Sequence, residues 1–244
     1  MPARILLALD TPDVETARAQ TRSAGEAIDG IKLGLEFFVA NGPAGIAAVV
    51  GAGPAAGSIG GSPSARQLFL DLKLHDIPNT VAGAIKSALA LKPLLLTVHA
   101  GGGPAMLRAA ADAAATGGAL RPLIIAVTVM TSLDDHDLSA VGQLPPVRDQ
   151  ARRLALLARQ QGCDGIVCSA HEIETIRRDC GPDFKLVVPG LRPAASDVGD
   201  QKRVMTPGEA AALGADYLVI GRPITAASDP AAAARSIRRE VAAA

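Results

Sequence analysis

Aromatic side chains are nearly missing from this sequence. It has no tryptophan, one tyrosine and four phenylalanines in 244 residues. Stacking platforms for nucleic-acid bases need rings, so that kind of binding has little to work with. Net charge is missing as well, since 24 Lys plus Arg balance 24 Asp plus Glu. No bulk field draws the chain to nucleic acid or to a membrane surface. Cysteine is scarce. Cys163, Cys168 and Cys180 form no CxxC pair, and three cannot all pair, so no disulfide framework is expected and a reducing cytoplasm fits. No apolar run approaches the roughly 18 residues of a membrane span. The apolar stretch in MPARILLALD is too short for a signal peptide. The four histidines, His75, His99, His136 and His171, show no ligand spacing, so no metal site is expected. Neither G-x-S-x-G nor a Cys–His pair offers a nucleophile.

What the chain does have is apolar bulk, at 49%. Its length suits one α/β barrel of about 200–250 residues. Short apolar runs at 4–9, 28–33, 67–72, 94–99, 122–128, 165–168, 184–188 and 216–220 predict eight strands. A helical stretch follows each. Thr11 and Pro12 suggest the N-cap and first position of one helix, which runs to about Ala24. A second helix, 35–50, is expected to break near Gly42-Pro43. MTSLDDHDL at 130–138 reads as a loop, with Asp134, Asp135 and Asp137 solvated. Residues 51–66, GAGPAAGSIGGSPSAR, read as a flexible Gly-rich loop. Strands alternating with helices predict parallel pairing, and eight such units predict a single-domain (β/α)8 barrel over 1–244. An open doubly wound sheet is the alternative, weakened by the lack of GxGxxG after the first strand.

Barrels of this kind carry their chemistry at the C-terminal ends of the strands. Polar residues collect there. Asp10 ends the first strand, Lys32 the second, and Asp71 and Lys73 the third, in DLKLHDIPNT. Side chains on a strand alternate with period 2, so Asp71 and Lys73 point the same way. Any one charge at a strand end is better explained by the chain surfacing. Four together would be costly to desolvate without a use. PGLRP, with Arg192, follows the seventh strand, and IGRP, with Gly221 and Arg222, follows the eighth. Glycine lets backbone N–H groups approach an anion, and arginine offers a planar fork of donors. That placement suits a phosphate.

These motifs carry a resemblance. DLKLHDIPNT, VMTS at 129–132, PGLRP at 189–193, GDQKRV at 199–204 and IGRPI at 220–224 together resemble the orotidine 5′-phosphate decarboxylase family, in order along essentially the whole chain. The Gly-rich 51–66 stretch looks longer than the family usually has. The resemblance implies a barrel homodimer that makes UMP and CO2 from orotidine 5′-phosphate, the last step of UMP synthesis, without metal or cofactor. It implies that Lys73 protonates C6 as CO2 leaves, with Asp71 against the substrate carboxylate. Asp10 and Lys32 would hold ribose hydroxyls, and Thr131 would contact the base. Asp76 and Thr80 would reach into the neighbouring subunit's site. Arg192, Gln201, Gly221 and Arg222 would hold the phosphate, with Pro189 nearby, and the 189–204 loop would close over the base.

Two rival readings share some of this pattern. Mg2+-dependent sugar-phosphate enzymes of the same scaffold resemble the DxKxxD core but lack the HDIPNT and GDQKR extensions. A nonenzymatic phosphate-ligand sensor would have no need of the intact Asp71, Lys73 and Asp76 set.

Overall fold

A computed structural model of the chain describes residues 2–51, 67–193 and 205–244. The Gly-rich stretch from 52 to 66 and the loop from 194 to 204, with Gln201, lie outside the described residues. Eight parallel strands close into a barrel in chain order. They are β1 Arg4–Leu9, β2 Gly30–Gly34, β3 Gln67–Leu74, β4 Leu95–His99, β5 Leu123–Val127, β6 Gly165–Val167, β7 Lys185–Val188 and β8 Tyr217–Ile220. β1 pairs with β8 as well as β2, so the sheet has no edge and the doubly wound alternative falls. Both faces of every strand are covered, which is why the strands read as nearly continuous apolar runs. In β1, Ile5, Leu7 and Leu9 pack outward under the helices. Leu6 and Ala8 point inward, to a small cluster with Phe69, Leu95, Ile125, Val187, Tyr217 and Val219.

The helices are α1 Val14–Ser23, α2 Leu35–Val50, α3 Pro78–Ala88, α4 Gly103–Ala115, α5 Asp135–Ala140, α6 Val147–Gln160, α7 Ile173–Cys180, α8 Pro207–Ala212, α9 Arg222–Thr225 and α10 Pro230–Ala242. None of them is long and apolar enough to cross a membrane. α2 kinks at Gly42, where φ is 59°, as its Gly-Pro pair predicts. Two expectations need correction. Asp13, not Thr11, caps α1: its carboxylate accepts from the Thr16 N–H at 2.7 Å, while the Thr11 hydroxyl accepts from Asp13 in the turn before. The acidic run after β5 is not all loop. Asp134 and Asp137 form a reciprocal capping box that starts α5.

The end of the barrel opposite the strand C-termini has its own repeated device. Asp29, Asp164 and Asp216 each stand just before an even-numbered strand and clasp the start of a neighbouring odd one. Asp29 donates its N–H to Ile5 O at 2.8 Å and its carboxylate accepts from Ile5 N at 2.6 Å. Asp164 does the same with Ile124, at 2.9 and 2.8 Å. Asp216 does the same with Leu186, at 3.0 and 2.9 Å. An arginine holds each carboxylate: Arg238, Arg121 and Arg177 in turn. At the corresponding place before β4 stands Leu94, which makes the backbone bond to Leu68 alone.

Candidate active site

The barrel's pleat decides which side chains meet at the other end. Lys32 pairs in register with Ala8 and Phe69, both inward residues, so it points inward too. Asp71 lies two residues beyond Phe69, and Thr97 two beyond Leu95, so both join it in the next layer. The side chains then form one row across β1, β2 and β3. Lys32 Nζ is 3.0 Å from Asp10 Oδ1 and 3.9 Å from Asp71 Oδ2. Lys73 Nζ is 2.7 Å from the same Asp71 oxygen. The order is minus, plus, minus, plus. Asp71 and Lys32 are nearly buried, at 10% and 12% side-chain exposure, while Asp10 at 69% reaches solvent. The inner charges would be costly alone, and each has an opposite charge beside it.

Asp71 and Lys73 come together as expected, but strand alternation is not the cause, because β3 is irregular at this point. Lys73 has φ of 49°, in the left-handed region. Leu70 pairs with Leu96, yet Leu74 pairs with Val98, so β3 spends two extra residues on this stretch. The Lys73 N–H goes to the Thr97 hydroxyl at 2.9 Å, and that hydroxyl donates to Asp71 Oδ1 at 2.9 Å.

A cavity of about 370 Å³ opens over this row. Asp10, Lys32, Asp71 and Lys73 line one side. Thr131, Pro189, Arg192, Gly221 and Arg222, the residues expected at the base and phosphate, line the rest of the polar wall. Phe69, Val127, Val167, Val187 and Val219 give it an apolar floor. Arg192 is buried, with Nη1 on Leu191 O at 2.9 Å. Gly221 precedes the short α9, whose first residue is Arg222.

Two expected residues stand apart. Asp76 and Thr80 do not line this cavity, and the Asp76 carboxylate accepts from the Ile77 N–H at 2.6 Å. Asp76 lines a separate recess with His75, Ile77, Pro78, Gly101 and Gly102. His75 has left the strand and faces His99 across 5.4 Å between ring centres. Burial lowers the His99 pKa, with His75 and Lys73 adding to the effect and Asp71 opposing it. Thr97 was not foreseen from the sequence. Within Leu95–His99 it reads as one more β-branched strand former, and only its full burial beside Asp71 marks it. Val129, Met130 and Ser132, the rest of the VMTS motif around Thr131, also line the cavity.

Residues 3–237 match the family described as "Orotidine 5'-phosphate decarboxylase / HUMPS family". The chain is 53% identical over 241 residues to the orotidine 5′-phosphate decarboxylase of Paramagnetospirillum magneticum, covering 97% of each. It is 50% identical to that of Thermobifida fusca, covering 99% of this chain and 97% of the other. Among solved structures, the orotidine 5′-phosphate decarboxylase of Lactobacillus acidophilus superposes with a TM-score of 0.83 at 34% identity, covering 99% of both chains.

Proposed function

The chain belongs to the orotidine 5′-phosphate decarboxylase / HUMPS family, and from that premise we propose that it converts orotidine 5′-phosphate to UMP and CO2 in the cavity over β1–β3, without metal or cofactor. The observation that carries this reading is the ammonium of Lys73, held 2.7 Å from Asp71 in a cavity that also reaches Arg192 and Arg222.

The chemistry asks for such a group. When the bond from C6 to the carboxylate breaks, CO2 leaves and the electron pair stays on C6, in the plane of the ring. No π-system absorbs it. A fixed ammonium stabilises that charge as it forms and then gives C6 its proton. Lys73 is left neutral and regains a proton from water. Asp71 keeps the ammonium in place and lies against the departing carboxylate. Asp10 and Lys32 take the ribose hydroxyls, and Thr131 the base. Arg192, Gly221 and Arg222, with Gln201 and beside Pro189, take the phosphate. Binding energy from that remote phosphate can be spent on placing C6 against Lys73.

Asp76 and Thr80 serve the second copy of a homodimer in this reading. Their position outside their own cavity supports it, as does the exposed Ile77 beside Asp76. The three free, buried cysteines fit a cytoplasmic enzyme.

The test is the loss of orotidine 5′-phosphate absorbance with purified protein in EDTA. Rapid turnover is expected. No turnover from folded protein, with activity on a sugar phosphate once Mg2+ is added, would sink the reading in favour of the metal-dependent branch. UMP binding without turnover would favour the sensor.

A further inference from the structure

We infer that Thr97 is a positioning residue for the Asp71–Lys73 pair: its hydroxyl fixes the place of the ammonium that the reaction uses. The inference rests on the functional reading above. Thr97 does not line the cavity. It acts through the two residues that do.

Three observations on β3 and β4 carry it. First, β3 cannot run straight here. The pairing jumps from Leu70–Leu96 to Leu74–Val98, and Lys73 takes a left-handed φ of 49°, which a lysine adopts only when its surroundings hold it there. Second, a break of this kind takes an N–H out of the regular ladder, and a buried N–H needs a partner. For Lys73 that partner is a side chain, Thr97 Oγ1, at 2.9 Å. Third, the same oxygen carries one hydrogen, and it goes to Asp71 Oδ1 at 2.9 Å, leaving Asp71 Oδ2 to Lys73 Nζ at 2.7 Å. One hydroxyl therefore holds the backbone of the lysine and the carboxylate that holds its side chain. The ring of contacts is closed: Thr97 to Asp71, Asp71 to the Lys73 ammonium, Lys73 backbone to Thr97.

Thr97 is fully buried, and its hydroxyl bonds both Lys73 and Asp71, so a residue without that hydroxyl leaves buried polar groups short of a partner. Valine has the same shape and neither bond. Serine keeps both. The pair of variants separates positioning from packing.

The experiment uses the full-length protein and compares wild type, Thr97→Val, Thr97→Ala and Thr97→Ser. It measures kcat and KM for orotidine 5′-phosphate and, by calorimetry, the Kd of UMP. Expected for Thr97→Val is a fall in kcat of about tenfold or more, with KM and the UMP Kd within about twofold of wild type. Thr97→Ser is expected to keep kcat within about threefold. Wild-type kcat in Thr97→Val overturns the inference. So does a Thr97→Ser variant as slow as the valine one, or a loss of UMP affinity that matches the loss of rate. If Thr97→Val does not fold, Thr97→Ala against Thr97→Ser gives the same contrast. If wild type shows no turnover, it is the functional reading that fails, and a crystal structure of Thr97→Val then decides the positioning: Lys73 Nζ still in place beside Asp71 overturns it.

Discussion

Asp71 Oδ2 and Lys73 Nζ stand 2.7 Å apart on a strand that leaves its regular path between them. The pair closes a row whose charges alternate, from Asp10 through Lys32, so deleting either charged side chain leaves the row unbalanced. Lys73→Ala is expected to stay folded and to lose at least about a thousandfold in kcat, because both the stabilising charge and the proton go with the side chain. Asp71→Asn is expected to lose about as much while its amide oxygen still accepts from the Thr97 hydroxyl. Absorbance assays beside far-ultraviolet circular dichroism check both. Full activity in Lys73→Ala would remove the lysine from the mechanism.

Arg222 is expected to recognise phosphate and little else. Arg222→Ala should weaken UMP binding by about tenfold or more, the scale of a hydrogen-bonded charge pair, and leave the weak binding of uridine unchanged. Calorimetry with the two ligands gives the comparison. An equal loss for both would mean that Arg222 shapes the cavity and does not read the phosphate.

Gly165 and Gly83 are expected to respond to alanine in opposite directions. A Cβ on Gly165 would stand 2.2 Å from the backbone oxygen of Lys185, which cannot step aside without moving β7. Gly165→Ala should cost about 3 kcal/mol by overpacking. Gly83 sits on the exposed side of α3 with nothing within 4 Å of its Cβ position. Gly83→Ala should stabilise by about 0.5–1 kcal/mol through helix propensity. Urea midpoints of the two variants decide it.

His99 makes stability depend on pH below neutrality. Its burial, with His75 and Lys73 close by and only Asp71 opposing, holds its pKa below the ordinary 6.5. Below that value the unfolded chain takes up a proton that the folded chain refuses. The folded state is therefore at full advantage above the ordinary histidine range and loses ground as pH falls through it, until the folded pKa is passed. A pH series of thermal midpoints should fall as pH drops through the ordinary histidine range, and His99→Gln should flatten that fall. An equal slope in the variant would assign the effect to other groups.

Most of the barrel was legible because its strands are buried on both sides and bounded by Gly, Pro and Asp. Every strand lies within two residues of the expected position. The site was legible for a different reason. Asp10, Lys32, Asp71 and Lys73 are charges at strand ends, which the fold brings to one rim. What escaped was of three kinds. Asp13 and Thr11 are both good caps two residues apart, and sequence pattern does not choose between them. α5 is six residues long and mostly polar, so it has too few turns to show a period, although Asp134 and Asp137 carry a capping signal. Thr97 and the break in β3 were out of reach. A hydroxyl in a strand is ordinary, and nothing in DLKL says that Lys73 takes a left-handed conformation. Such strain shows only when a neighbouring strand is in place to hold it.

The aspartate clasps at the closed end of the barrel have a consequence for how the whole ring is indexed. Parallel strands can in principle slide along one another, and a slip of one residue would turn every inward side chain outward. Asp29, Asp164 and Asp216 each lock a strand start at two points, N–H to O and carboxylate to N–H, so any slip at those three seams forfeits both bonds at once. The clasps act as detents. They count the strands into place at one rim, so that Lys32, Asp71 and Thr97 arrive at the same height on the other.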